Sequence, residues 1–234
     1  MKLPQPTMRG TLVRRYKRFL TDVELETGEQ ITVHCANPGA MTGLNTPGLP
    51  VVISKSSNPK RKLAWNFDLV KLESGYVGIN TSYPNKIVGE ALAEGEIAEV
   101  SAYANHKPEV KYGENSRVDF LLTGNNLPDC YLEVKNAHLS RSSGLAEFPD
   151  SVTQRGTKHL EELAKVAMAG YRAINLFLVQ RTDCTSFSIA RDIDPTYAKA
   201  IEIAQESGVE ILCYTCTITL EEIVLSKPLP IIMV

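Results

Sequence analysis

Three charged side chains in the second half of the chain stand where charge is least expected. Asp119 lies inside the apolar run Arg117-Val118-Asp119-Phe120-Leu121-Leu122, and Glu133 and Lys135 alternate with apolar residues in Cys130-Tyr131-Leu132-Glu133-Val134-Lys135. Both runs read as strands, and a period of two sets Cys130, Leu132 and Val134 on one face, Tyr131, Glu133 and Lys135 on the other. Charges in a covered sheet are paired or bound to a metal. Two carboxylates held close together are hard oxygen ligands for Mg²⁺ or Mn²⁺, and the Val134 carbonyl can be a third. Such a cation neutralises charge on a phosphate in flight and lowers the pKa of a water that Lys135 can orient. A bare E-x-K more often marks a Glu–Lys pair on a solvated face. The acidic strand upstream and the order of the surrounding elements favour the chemistry.

Those elements change character near Pro84. Ile87 to Val100 carries the apolar stripe of an amphipathic helix. Strands are expected over Glu109–Tyr112, Arg117–Thr123 and Cys130–Asn136. Asp150-Ser151 opens a helix to about Ala169, with Ser151 and Gln154 at capping-box spacing and Gly170 as a stop. Ala173–Gln180 is a continuous apolar strand of a sheet interior. Asp194-Pro195 caps a further helix that ends at Gly208, and Glu210–Cys216 is a last strand. The order is α-β-β-β-α-β followed by α-β. Ser140 to Gly144 reads as a mobile loop at the mouth of the site. His138 and His159 have no partner identifiable from sequence and read as core or surface residues.

The first part of the chain reads as β-rich. Strands are expected at Gly10–Leu20, Val23–Glu26, Gln30–Cys35, Leu49–Ser54, Leu63–Leu72 and Tyr76–Asn80, divided by Gly, Pro and Asn. About 80 residues in this pattern suggest an OB-like barrel. Residues 1–82 hold 11 Lys and Arg against 6 Asp and Glu, whereas the whole chain has a net charge of −2. The cations cluster with rings: Arg14-Arg15-Tyr16-Lys17-Arg18-Phe19, and Lys60-Arg61-Lys62 ahead of Trp65. Cations that track phosphates beside rings that stack on bases equip an OB-type nucleic-acid groove. Strand alternation divides Arg15 and Lys17 from Tyr16 and Arg18, and the aromatics suit a barrel core equally well. Asn37-Pro38-Gly39-Ala40-Met41-Thr42-Gly43 either lines the same groove or connects two strands tightly.

Composition bounds the rest. With 234 residues, 43% apolar and 22% charged, the chain has the mix of an ordinary globular protein with a sizeable core. It has no apolar run of membrane-span length and no signal-peptide pattern at its start, so a cytoplasmic location is expected. Its cysteines, at 35, 130, 184, 213 and 216, sit mostly in apolar runs and read as reduced, buried thiols. Cys213 and Cys216 fall on opposite faces of a strand, which argues against zinc.

Glu133-Val134-Lys135 after Pro128-Asp129, with Asp119 upstream and a helix bearing Gln154 and Lys158 downstream, resembles the PD-(D/E)XK nuclease core. Nearly the whole chain resembles the sugar fermentation stimulation protein (SfsA) family. Arg15-Tyr16-Lys17-Arg18-Phe19, Asn37 to Gly43, Val110-Lys111-Tyr112-Gly113, Glu133-Val134-Lys135 and Phe148-Pro149-Asp150 carry that likeness. The resemblance implies an α/β (overall α+β) protein, with an OB-like β-barrel over 1–82 and a nuclease-like α/β domain over 83–234. It also implies sequence-nonspecific binding of DNA, with RNA as a second candidate partner, and no membrane partner. A further metal-binding acid is implied on the first helix or first strand of the second domain, Glu90 or Glu109. Gln154 joins the catalytic set unless it is only a cap, and Lys158 joins the nucleic-acid contacts. Three functions stay open: a Mg²⁺- or Mn²⁺-dependent nuclease, a DNA-binding regulator of sugar metabolism without turnover, and a small-molecule-binding barrel.

Overall fold

The structure, a computed structural model, describes residues 1–113 and 116–232. Strands β1 (Thr7–Tyr16), β2 (Leu20–Leu25), β3 (Gln30–His34), β4 (Pro50–Lys55) and β5 (Trp65–Leu72) form a closed barrel. β1 pairs antiparallel with both β2 and β4, and a parallel bridge from His34 to Asn66 joins β3 to β5 and closes the ring. β6 (Gly75–Gly78) extends β5 as a hairpin. Inward residues such as Leu12, Val23, Val33, Ile53 and Phe67 fill the barrel at almost no exposure. Each such side chain contributes roughly 2 kcal/mol through the apolar area it removes from water. The strand expected to run to Leu20 stops at Tyr16. Lys17 and Arg18 take left-handed φ values of 48° and 62°, which turns the chain and starts β2 at Leu20.

The second unit is a six-stranded sheet in the order β15-β14-β12-β9-β8-β7. These strands are β7 (Asn105–Tyr112), β8 (Ser116–Thr123), β9 (Cys130–Ala137), β12 (Arg172–Val179), β14 (Glu210–Ile218) and β15 (Ile223–Pro228). β12 runs parallel to both β9 and β14. Period two along β12 sends Ile174, Leu176 and Leu178 toward α1 (Pro84–Glu94), and Ala173, Phe177 and Val179 toward α2 (Gln154–Met168) and α3 (Pro195–Glu206). A small sheet of β10 (Leu139–Ser142), β11 (Leu145–Phe148) and β13 (Ser186–Ile189) stands beside it.

Several expected boundaries move for local reasons. The helix expected to reach Val100 ends at Glu94, because Gly95 adopts φ 71° and its N–H returns to the carbonyls of Ala91 and Leu92. The helix expected from Asp150-Ser151 starts at Gln154. Thr153 is its cap, accepting from the Gly156 N–H, and the Ser151–Gln154 capping box is not made. Ser140–Gly144 is not a loose mouth loop but part of the β10–β11 hairpin. Arg141 holds it through hydrogen bonds to Glu147 and Asp192. All five cysteines are buried free thiols.

The two units share apolar packing and polar contacts. Met1 and Leu3, grouped with the barrel from sequence, bond to Ile223 and Glu221 of the second unit. Val52 and Leu69 of the barrel sit in one cluster with Tyr83, Ile87 and Ile218. The Asn37–Gly43 loop is gripped from both sides. Arg15 donates to the carbonyls of Asn37 (2.7 Å) and Gly39 (3.0 Å). From the second unit, Asp150 accepts the Met41 N–H at 3.1 Å and pairs with His138 at 3.3 Å. A Cβ at Gly39 would lie 2.3 Å from the Asp150 carboxylate, so only glycine allows this approach.

Burial pushes the Asp150 carboxyl up, but the His138 ring and the Met41 N–H outweigh it and hold it down at about 2 against an ordinary 3.8. A carboxyl depressed on folding stabilises the native state above its ordinary value and loses that contribution as pH falls through the native one. Acid should therefore loosen the loop between about pH 5 and pH 2, removing about 2 kcal/mol. Asp150→Asn should flatten that limb of a stability-against-pH curve measured by denaturant titration. An unchanged acid limb would place the linkage elsewhere.

Candidate metal centre and nucleic-acid face

β8 and β9 pair only through Phe120–Leu132, Leu121–Tyr131 and Leu122–Cys130, and then part. Asp119 and Glu133 stand at the fork. The Val134 N–H, which a continued ladder would have used, donates to Asp119 Oδ2 at 2.7 Å, and Asn85 Nδ2 on the first turn of α1 donates to Oδ1 at 2.7 Å. Glu133 is 2% exposed. Its Oε1 accepts from Lys135 Nζ at 2.6 Å and meets His159 Nδ1 on α2. Arg155 Nε points at His159 Nε2 at 3.3 Å. Arg155 as donor favours a proton on Nδ1, facing Glu133, with Lys135 Nζ 3.1 Å from the same nitrogen. Two donors thus converge on Oε1, while Oε2 is buried with no partner.

The electrostatics separate the two acids. Burial and the charge on Glu133 push the Asp119 carboxyl up. Burial also pushes Glu133 up, but the His159 and Lys135 bonds outweigh it and hold its carboxyl below the ordinary range. Glu133 is the firmly ionised member, and Asp119 is the one strained by its neighbour's charge. A cation between them would relieve that strain. Among the described residues no group of three or more His, Cys, Asp or Glu forms a ready cage. The donor set is two carboxylates and the Val134 carbonyl, all hard oxygens. The unpartnered Glu133 Oε2 is the atom such an ion would satisfy. The residues fit a cation that keeps several waters, as Mg²⁺ does.

The other expected site residues lie as follows. Gln154 is exposed at the start of α2, and Lys158 on the same helix lies 3.9 Å from the buried Glu162. Glu90 pairs with the amino terminus at 2.6 Å, which directs its carboxylate toward the chain start rather than the fork. Glu109 is exposed on β7 at φ 55°. His159, Arg155 and Asn85 were not singled out as site residues. The only sequence signal for His159 was its place among Gly156, Leu160 and Leu163 on the buried stripe of α2. A titratable ring on that stripe had to face the sheet residue beneath it.

On the barrel, the cation clusters occupy two loops. Lys17, Arg18 and Phe19 form the β1–β2 turn, and Lys60-Arg61-Lys62 lies in the β4–β5 connection. Phe19 stacks on His34 with centroids 6.3 Å apart and planes 13° apart. His34 bridges to Asn66, whose side chain accepts from Arg61 at 2.7 Å. The two loops therefore flank one patch of β3, the arrangement in which OB barrels engage oligonucleotides. Lys17, Arg18, Lys60 and Lys62 are exposed. Arg14 and Tyr16 both bond to Asp22, Arg15 braces the Asn37–Gly43 loop, and Trp65 packs against the barrel core.

The architecture is thus a closed OB barrel followed by a mixed α/β domain with an acid–acid–lysine group at a strand fork. The model of the SfsA N-terminal OB domain matches residues 13–79, and that of the sugar fermentation stimulation protein RE domain matches residues 82–222. The chain belongs to the sugar fermentation stimulation protein family. It is 54% identical over 231 residues to the homolog from Ruegeria sp., covering 98% of this chain and 100% of that one. The homolog from Maricaulis maris is 50% identical over 229 residues, covering 98% and 97%. Pyrococcus furiosus SfsA, solved in complex with Ca²⁺, superposes at a TM-score of 0.89 over 99% of this chain and 97% of that one, at 24% identity. Among the described residues no helix is long and apolar enough to cross a membrane.

Proposed function

We propose that this protein is a cytoplasmic, sequence-nonspecific DNA-binding protein whose α/β domain carries a divalent-metal-dependent phosphodiesterase site. The observation that carries the reading is the Asp119–Glu133 fork with a buried, unpartnered Glu133 Oε2 beside the Lys135 ammonium. Asp119, Glu133 and the Val134 carbonyl would hold Mg²⁺ or Mn²⁺, and the Ca²⁺ bound by Pyrococcus furiosus SfsA supports a divalent ion in this fold. The bound ion would supply charge neutralisation on the phosphate and a lowered pKa for water. The chain's own part is positional: Asn85 and the Val134 N–H fix Asp119, His159 fixes Glu133, and Lys135 brings a positive charge to the same edge. The barrel loops would hold the phosphate backbone, whose contacts position the ligand and carry no sequence information.

Two tests follow. Oligonucleotides incubated with the protein and millimolar Mn²⁺ should be cut, and EDTA should stop the cutting. Binding without cutting on single-stranded, duplex and branched substrates would leave a nuclease-shaped DNA-binding protein. Binding should also be insensitive to base sequence and steeply salt-dependent. Lys60→Glu with Lys62→Glu, both exposed, should weaken it roughly tenfold and flatten the salt slope by about one to two. Arg15 is unsuitable for this purpose because its loss would release the Asn37–Gly43 loop. An unchanged slope would move the nucleic-acid face off the barrel.

A further inference from the structure

Phe19 is 44% exposed at the tip of the β1–β2 turn. The turn is rigid. Lys17 and Arg18 are locked in left-handed conformations, the Phe19 N–H bonds to the Lys17 carbonyl at 2.7 Å, and the Phe19 carbonyl accepts the Cys35 N–H at 2.9 Å. One side of the ring lies nearly parallel on His34. Burial and then the nearby Arg61 charge lower the His34 pKa, so this ring is neutral at physiological pH and supports a stack rather than an ion pair. The two cationic loops flank the pair, and the remaining surface of Phe19 is open.

Beside this platform lies a cleft between the two domains. Arg18, the neighbour of Phe19, lines a cleft of about 720 Å³ between barrel and α/β domain, together with Asn37, Gly39, Asn136, His138 and Thr153. Asn136 directly follows Lys135 on β9, and Thr153 caps the helix that carries His159. The acid in this cleft, Asp150, is turned to the loop, accepting the Met41 N–H at 3.1 Å and lying 3.3 Å from His138.

We infer that Phe19, backed by His34, is a stacking platform for an unpaired nucleobase, and that the substrate class is single-stranded nucleic acid leading through the Arg18 cleft to the Asp119–Glu133 fork. A duplex cannot use the platform, because its base faces are already covered by their neighbours. The inference rests on the nucleic-acid reading above and narrows it.

Fluorescence anisotropy in EDTA tests this with a labelled single strand of about 12 nucleotides and the corresponding duplex. Wild type should bind the single strand about tenfold tighter than the duplex. Phe19→Ala should weaken single-strand binding about tenfold, the scale of one lost stack, and Phe19→Trp should restore it. Duplex binding should be the same in all three, and their melting temperatures should agree. Equal affinity for both forms, or a Phe19→Ala variant that binds the single strand like wild type, would overturn the inference while leaving DNA binding intact. No binding of either form would overturn both.

Discussion

Lys135→Met should abolish metal-dependent cleavage, lowering the rate by about a thousandfold, the usual scale for losing one preorganised charge at a reacting centre. Affinity for DNA should hardly change, because Lys135 is nearly buried and paired with Glu133, while the proposed phosphate contacts lie on the barrel loops. The protein should still fold. The Met side chain can occupy the aliphatic space of a lysine that is only 11% exposed, and His159 still donates to the same Glu133 oxygen. Leaving a buried carboxylate with no donor at all would be far more costly. The double variant Lys135→Met, His159→Ala should accordingly lose much more stability than the sum of the two single changes. Single-turnover cleavage assays and a denaturant titration read the two effects separately. Cleavage retained by Lys135→Met would remove the lysine from the chemistry.

Asp119→Asn should abolish the protein's response to metal and reverse its order of stability against wild type. In the wild type the Asp119 carboxyl is pushed above its ordinary value by burial and by Glu133. The native state then binds more protons than the unfolded chain in the window just above that ordinary value. The ionised carboxylate costs stability at neutral pH, and the metal-free protein becomes more stable as pH falls through that window. The amide put in its place carries no charge and keeps an acceptor for the Val134 or Asn85 donor. The variant without metal should melt a few degrees higher than wild type at neutral pH, and its melting point should rise less than that of wild type on mild acidification. In Mn²⁺ at a hundredfold excess over Kd the order should invert. Wild type gains about 2.7 kcal/mol by linkage, and the variant, lacking a ligand, gains nothing. A variant destabilised without metal would show that Asp119 is held by its hydrogen bonds more strongly than it is opposed by Glu133.

The barrel strands, five strands of the central sheet and the helices α2 and α3 were legible because each is written in a strong period. β12 is the clearest, with every residue from Ala173 to Val179 buried. The missed strands β10, β11, β13 and β15 are short or mixed in pattern: β11 takes a partner from beyond both α2 and β12, in β13, and β15 pairs with β14 while the amino terminus bonds to its first residue. The Asp119, Glu133 and Lys135 positions could be read because a charge in an apolar strand needs a partner. Asn85 could not, because what recruits it is the fork between β8 and β9, a tertiary event with no local signature, and His159 offered only its place on the buried stripe of α2. Ser151 looked like the helix cap because it stands at capping-box spacing from Gln154, but its hydroxyl donates to Asp150 and the cap passes to Thr153. Arg15 looked like a phosphate contact and instead braces a loop, since two carbonyls from the Asn37–Gly43 turn reach it first.

Isothermal titration of Mn²⁺ into wild type and into Glu133→Gln tests the central claim most directly. The isosteric amide still offers an acceptor to Lys135 and His159, so fold and surroundings are kept while the charge on the unpartnered oxygen is lost. One site should be seen in wild type and none at millimolar Mn²⁺ in the variant, with matching circular dichroism. Equal binding in the two proteins, or no binding in either, would contradict a metal centre built on the Asp119–Glu133 fork.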